Sequence, residues 1–389
     1  MSILVYLFLI GNLVASYFFA RFVYNKIYKY YPPCQFKDEK GNIIDLHKIY
    51  HPFHPEDKLD FKKLWMEAFF CALFKGITSL LVAFFMIPNL ALFAIIFPNS
   101  DLSPTQWKIC KKTIQFYSKI FLYLVGIKIN YKKVDCEEVY KKYLGPDYDF
   151  KDNKYSIIIS NHTGFFEVVI CMALYSGGFI AKKEVENYWF VGKIAKAIHC
   201  LFIDRTSEAD RKEIFEKLEE RQQGFYEGKR FSPLILFPEG TCTCGRDILK
   251  FKKGAFYSLL PIKPVIINVY QESDYHISCG AISVVAGYFR QLCHTIEPMY
   301  VCEMPVIRPT PFMYEKYKHL STEKWEIYAE VTRKIYSEIG GLKENNMGKR
   351  DEAKYEKAVN KGIYDINSTP FKKTEEFLFS DVEQKQKVN

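Results

Sequence analysis

Between Ile3 and Ala20 the chain carries no charged side chain. A run of this length reaches across the hydrocarbon core of a bilayer, which takes about 17–25 residues. Arg21, Lys26 and Lys29 follow it, together with Tyr24, Tyr28, Tyr30 and Tyr31. Basic and aromatic residues in that position suit a membrane–water interface. The basic leader and small-residue cleavage site of a signal peptide are not evident. The reading is a retained anchor over residues 1–25, ahead of a signal peptide or a buried helix. A second apolar run, Gly76 to Phe97, is interrupted by Pro88-Asn89. Proline removes a backbone donor and bends a helix. The run therefore reads either as a kinked span or as a re-entrant hairpin. Lysines on both flanks (Lys58, Lys62, Lys63 and Lys75; Lys108, Lys111 and Lys112) favour the hairpin, because both flanks prefer the same side. Residues 65–130 are predicted to hold this hairpin and surface helices. Ile120 to Ile129 is too short to span.

Composition fits this only once it is placed along the chain. A mean hydropathy of −0.13 over 389 residues describes an ordinary soluble protein, yet the apolar residues cluster. With 49% apolar and 17% aromatic residues, a disordered or collagenous chain is excluded. The net charge of +9 is spread out, with no basic block and no zinc-finger spacing, so nucleic acid is not an expected partner. The excess suits an anionic membrane surface or a phosphate-bearing ligand. The 11 cysteines are scattered, several inside apolar stretches (Cys71, Cys171 and Cys200), which reads as reduced thiols. Cys242 and Cys244 are not a CxxC pair, and no metal site is predicted.

From Tyr155 the texture changes. Short β-rich runs end in polar turns at 155–160, 177–181, 199–204, 233–237 and 264–269. Helical patterns lie between them, for example from Ser207, where Ser207 and Asp210 suggest a cap and Ile214, Leu218 and Arg221 an inward stripe. Alternating strands and helices predict an α/β fold. Its mixed, largely parallel sheet is flanked by helices and preceded by N-terminal membrane-embedded helices. The α/β domain is expected over residues 131–310. Residues 311–389 read as a helical to mobile polar region, with little core after about Gly341.

Four segments carry candidate chemistry. Asn161-His162 follows the run YSIIIS, with Glu167 five residues after the histidine. A carboxylate can orient an imidazole through one nitrogen while the other takes a proton. Phe202-Ile203-Asp204-Arg205 ends a strand with a guanidinium suited to phosphate or to a carboxylate. Phe237-Pro238-Glu239-Gly240-Thr241 ends another strand in a turn whose backbone N–H groups can face a ligand, with Lys252 and Lys253 nearby. Lys263-Pro264-Val265 reads as a turn into a buried strand, with Pro264 at its first position.

In order and spacing these blocks resemble the glycerolipid, 1-acylglycerol-3-phosphate acyltransferase-like family over roughly residues 50–305. The lysophosphatidylcholine/ethanolamine branch is the nearest. The family's Asn-His-x4-Asp block corresponds to Asn161, His162 and Glu167, with Glu standing for Asp. The aromatic-x-x-Arg block corresponds to Phe202 and Arg205. Phe237 to Thr241 match residue for residue, and Pro264 with Val265 gives the last block. The resemblance implies transfer of a fatty acyl chain from acyl-CoA, as co-substrate, to the free hydroxyl of a lysophospholipid. No further cofactor is implied. His162 would be the general base and Glu167 its orienting carboxylate. Asn161, Arg205, Glu239, Gly240, Thr241, Lys252, Lys253 and Pro264 would bind substrate. Glycerol-3-phosphate as acceptor, or a non-catalytic lipid-binding subunit of a membrane-protein complex, are the alternatives. Lys385 and Lys387 resemble a dilysine retrieval signal. That implies the endoplasmic reticulum membrane with a cytosolic domain and C-terminus, a mitochondrial membrane being the other setting.

Overall fold

The computed structural model describes residues 3–37, 42–55, 57–96, 103–188, 192, 195–196, 198–203, 208–230, 232–268 and 280–360. The chain opens with α1 (Ile3–Ile27), whose outward face is apolar along its length: Phe8, Ile10 and Phe18 are exposed. A small hairpin, β1 (Gln35–Lys37) and β2 (Ile43–Asp45), precedes the one-turn α2 (Leu46–Ile49). Then comes α3 (Phe61–Ile96), antiparallel in sequence logic to α1 and tied to it where Asn12 Nδ2 donates to the Phe69 carbonyl at 2.9 Å. Of the two readings at Pro88-Asn89, the hairpin turn is not there: α3 runs through as one helix. Asn89 Nδ2 donates to the Phe85 carbonyl at 2.8 Å and to the Tyr117 hydroxyl at 3.0 Å, so a side chain supplies donors beside the one proline removes. Tyr117 lies on α4 (Pro104–Leu124), which starts with a capping box made by Ser103 and Gln106. Two stretches, Ile3–Tyr30 and Phe61–Leu92, are long and apolar enough to cross a membrane.

The α/β unit follows. Its strands are β3 (Ile127–Lys133), β4 (Ile157–Ser160), β5 (Gly178–Lys182), β6 (Leu201–Ile203), β7 (Leu234–Leu236), β9 (Ile262–Asn268) and β10 (Glu297–Glu303). They form one sheet in the order β3-β10-β9-β4-β7-β5-β6. Every pairing is parallel except β9 with β10. β8 (Asp247–Leu249) pairs in parallel with β11 (Lys343–Asn345) as a separate ribbon. The helices are α5 (Glu137–Leu144), α6 (Phe166–Leu174), α7 (Lys183–Glu186), α8 (Glu208–Tyr226), α9 (Val284–Cys293), α10 (Pro311–Tyr317), α11 (Lys324–Gly340) and α12 (Lys349–Asn360). Central parallel strands are covered on both faces, which explains why β4 and β7 are continuous apolar runs. One face packs on α11 through Tyr328, Val331 and Tyr336, and on Ile214 and Leu218 of α8. The other packs on α4 and α6. Ser207, half of the expected cap, lies outside the described residues.

Two expectations change. Pro264 is not the first residue of its strand. It sits inside β9 opposite Ile159 of β4. A residue's N–H and C=O point to the same side of a strand. The Pro264 carbonyl accepts from Met304 N–H at 3.2 Å, one residue beyond the end of β10, so the missing donor faces the end of the ladder. The chain after Gly341 is not without core up to residue 360. α11 supplies a wall of the main core, and Tyr355, Ala358 and Val359 of α12 are fully buried against Leu46, Phe53 and Leu249. Apart from the buried Glu352, the mixed charge of α12 lies on its outer face.

Candidate active site

Because β4 and β7 are parallel neighbours, the residues that follow them meet at one edge of the sheet. Open α/β sheets bind ligands at that carboxyl edge. His162 follows β4; Phe237 to Thr241 follow β7. The His162 ring stacks on Phe237 with centroids 4.3 Å apart, and Phe237 stacks in turn on Phe179 of β5. Beneath the ring, Glu239 holds the loop. One of its carboxylate oxygens accepts His162 N–H at 2.8 Å and the other Leu249 N–H at 2.9 Å. Glu239 is 0% exposed, and burial pushes its carboxyl up to about 8. Both of its oxygens are engaged by backbone within the wall of the site.

His162 itself is half-buried, but its Nδ1 is enclosed and has no hydrogen-bond partner. Burial lowers its pKa to about 4, so the ring is neutral at pH 7. Glu167, on the first turn of α6, is 2% exposed. Burial pushes it up to about 7; the backbone amides of Glu167, Gly164 and Thr163 pull the other way. One of its oxygens, Oε2, is also buried without a partner. His162 Nδ1, after β4, and Glu167 Oε2, at the start of α6, are thus two buried atoms without partners, five residues apart. Unpaired buried polar atoms of this kind are costly and are held in place by the surrounding fold.

The other predicted residues fall into distinct places. Asn161 makes a two-way clasp with β9: its Nδ2 donates to the Ile267 carbonyl and its Oδ1 accepts Ile267 N–H, both at 2.8 Å. It locks the strand ends behind His162. Gly240 is exposed at φ +72°, a conformation that favours glycine, and the Lys252 side chain passes over it. Lys252 N–H also donates to the Pro238 carbonyl at 2.7 Å, keeping this exposed lysine at the turn. Lys253 turns elsewhere: its ammonium lies 4.5 Å from the Tyr257 ring centroid, 5.5 Å from Trp325 and 5.7 Å from Phe215. Thr241 is buried, and its hydroxyl donates to the Glu352 carboxylate of α12. Pro264 is buried in the sheet. Arg205 lies outside the described residues.

Two contributors had no local signal. The Tyr336 hydroxyl of α11 is wedged between β4 and β9, donating to the Ile159 carbonyl at 2.9 Å and accepting Val265 N–H at 3.1 Å. It bridges the two strands just before His162. The 243–247 loop carries the site from below: Thr243 N–H donates to the His162 carbonyl at 2.9 Å. The carboxylate of Asp247, at the end of this loop, accepts from His51 Nδ1 at 3.1 Å. Only a helical stripe could have marked Tyr336 as inward-facing.

Residues 138–271 match the Acyltransferase family model. Over 204 residues the chain is 29% identical to lysophospholipid acyltransferase LPEAT1 of Arabidopsis thaliana, covering 52% of this chain and 49% of that protein. Over 161 residues it is 34% identical to a probable 1-acyl-sn-glycerol-3-phosphate acyltransferase of Mycoplasma pneumoniae, covering 40% of this chain and 55% of that one. The chain thus spans about half the length of these relatives. Among solved structures it is similar to the 1-acyl-sn-glycerophosphate acyltransferase PlsC of Thermotoga maritima, with a TM-score of 0.39 and 17% identity over 68% of this chain and 98% of that chain.

Proposed function

We propose that this chain, which carries an acyltransferase-family domain over residues 138–271, transfers a fatty acyl group from acyl-CoA to the free hydroxyl of a lysophospholipid at a membrane surface. The observation that carries the reading is the pair of buried, unpartnered atoms on His162 and Glu167 at the carboxyl edge of the sheet. Catalytic hydrogen bonds are often open in the empty enzyme and close in the substrate complex. With Glu167 ionised and bonded to Nδ1–H, His162 presents Nε2 as an acceptor. That nitrogen takes the proton of the substrate hydroxyl as its oxygen attacks the thioester carbonyl. The C–S bond breaks, and the thiolate leaves with the proton returned by His162. No acyl-enzyme is required. Phe237 holds the ring plane, and Glu239 fixes the backbone under it.

Arg205, the Gly240 turn and Lys252 are the groups proposed to receive phosphate. Glu239, Asn161 and Thr241 act as positioning residues, since their polar atoms are bonded within the protein. The two apolar helices support a membrane setting, where both acyl-bearing substrates partition. The endoplasmic reticulum, with the domain on the cytosolic side, is the proposed location.

The test is acyl transfer from labelled acyl-CoA in membranes carrying the full chain, against a panel of lysophospholipids and glycerol-3-phosphate. His162→Ala should lower the rate by about 10²–10⁴-fold, the worth of general-base catalysis. Undiminished transfer by that variant would remove His162 from the mechanism. Turnover of glycerol-3-phosphate alone would move the acceptor class.

A further inference from the structure

Beside the β1–β2 hairpin lies a cavity of about 460 Å³, lined by Tyr31, Gln35, Asp45, His47, His51 and His54, with Lys48 also in its wall. The proton positions in this cavity follow from its hydrogen bonds. The Pro32 carbonyl can only accept, so His47 Nε2, at 2.8 Å, carries a hydrogen. In the neutral ring His47 Nδ1 is then a lone pair, and it accepts the Tyr355 hydroxyl proton at 2.9 Å. Tyr355 has no second proton. Its other contact, His54 Nδ1 at 2.9 Å, must therefore be an N–H donor. That leaves His54 Nε2 as a bare lone pair. Burial lowers His54 to about 4, which keeps the ring neutral at physiological pH. His51 is fixed in the same way. Its Nδ1 donates to the buried Asp247 carboxylate at 3.1 Å, so its Nε2 is an acceptor, with only a long 3.5 Å contact to the Asn345 amide. Asp45 adds a carboxylate. Its oxygens accept the His47 backbone N–H at 3.0 Å and the Gln35 amide at 3.1 Å, and among the described residues it forms no ion pair.

The cavity is thus rich in acceptors and holds one unanswered negative charge. No group of three or more His, Cys, Asp or Glu among the described residues is arranged to hold a metal ion. The complement is a cation with several N–H donors. We propose that this cavity binds a primary ammonium carried close to a phosphate, the chemistry of an ethanolamine phospholipid head group. The three N–H bonds of the ammonium meet His51 Nε2, His54 Nε2 and Asp45, while the exposed Lys48 takes the phosphate. A trimethylammonium group has no N–H to offer and is held by aromatic faces. Tyr31 is the one phenyl-type ring in the lining, and its hydroxyl is spent on Asp57 and Arg290. The cavity is joined to the candidate active site: Cys244 N–H donates to the Pro52 carbonyl at 2.7 Å, and Thr243 of the same loop holds the His162 carbonyl. The assignment rests on the proposed lysophospholipid acylation only for the source of the amine.

The experiment is a calorimetric titration of the full chain in detergent micelles, with no acyl donor present. The probes are glycerophosphoethanolamine, glycerophosphocholine and spermidine. Glycerophosphoethanolamine should bind at least tenfold more tightly than glycerophosphocholine, and Asp45→Asn should weaken it at least tenfold. Because Asp45 also caps α2, a second variant guards against misfolding. Tyr355→Phe keeps the ring but frees the His54 tautomer, and it should narrow the ethanolamine-to-choline ratio without loss of the folded state. Equal affinity for the two head groups, or a ratio untouched by both variants, overturns the site. Spermidine binding as tightly as glycerophosphoethanolamine overturns the lipid source. Selective binding by a chain that transfers no acyl group would sink the catalytic proposal and leave this site standing.

Discussion

At His162 the two equilibria decide how strong a base Nε2 can be. Below about pH 7 Glu167 is protonated and offers no negative charge to hold Nδ1–H or to stabilise the imidazolium that forms when Nε2 takes the substrate proton, so the base is weakened. Above it the carboxylate accepts from Nδ1–H and frees Nε2. The acid limb of kcat should therefore fall near 7, although the imidazole itself stays neutral down to about 4. Glu167→Gln should abolish the limb and lower the rate at pH 8, and Glu167→Asp should restore part of both. A limb near 4 in the parent enzyme would assign it to His162 instead. Stability follows a different sign. Glu239 holds its proton in the fold up to about 8, whereas an unfolded chain releases it near 4.5. Its contribution is fully present below 4.5 and is lost as pH rises through 8, at up to about 1 kcal/mol per pH unit. Melting temperatures of the parent should drop between pH 6.5 and 8. Glu239→Gln removes the titration at this position and should show a flatter slope between pH 6.5 and 8. An unchanged slope would mean other groups carry the pH dependence.

At the scale of elements, α11 tightens the sheet behind the candidate site through the Tyr336 hydroxyl, which bridges β4 and β9. Tyr336→Phe keeps the ring against Phe251 but removes the bridge between Ile159 and Val265. It should cost about 1–3 kcal/mol in denaturant unfolding, since two buried backbone groups lose a partner. It should also slow acyl transfer, because the next residues after β4 carry the histidine. A stability loss with full activity would confine Tyr336 to folding. The strands that frame the site were legible: the apolar runs at 155–160 and 233–237 became β4 and β7, because strands covered on both faces must be apolar throughout. The polar segments read at 161–162 and 237–241 do follow these two strands, whereas Pro264 lies inside β9 and Arg205 outside the described residues. The clasp behind them was not legible. Tyr336 reaches Ile159 across 177 residues, and Glu352 reaches Thr241 across 111. Neither partner sits in a pattern of its own, and a polar helix such as α12 shows its few buried residues only once its neighbours are placed. Pro88 misled for a related reason. A single proline weakens a helix by its missing donor, but Asn89 and Tyr117 supply the local polar contacts that let α3 continue.

At the scale of the whole molecule, one side chain joins the apolar helices to the α/β unit. Lys75 is buried on α3. Its ammonium donates to the Val125 and Thr295 carbonyls, both at 2.7 Å, and to the His294 carbonyl. Val125 follows the end of α4, and His294 follows the end of α9. Carbonyls at helix ends have no intrahelical partner and carry the negative pole of the helix dipole, so a cation there answers two helices at once. Gly126 makes room for it: a Cβ at that residue would sit 2.5 Å from Lys75 Nζ. Lys75→Met keeps the length of the side chain but removes three donors. The Val125 carbonyl retains Gln291, whereas the other two lose a buried charge-assisted bond. The variant should lose about 3 kcal/mol or more in thermal unfolding in detergent, at about 1–3 kcal/mol for each unsatisfied group. Lys75→Arg should not rescue it, because a planar fork cannot point its donors at three converging carbonyls. If the apolar helices were a passive tether, Lys75→Met would leave unfolding of the α/β unit unchanged, and acyl transfer with it. If they are built into the fold, the two should fall together, since α9 and the 124–127 connection anchor the sheet strands β3 and β10 that back the candidate site.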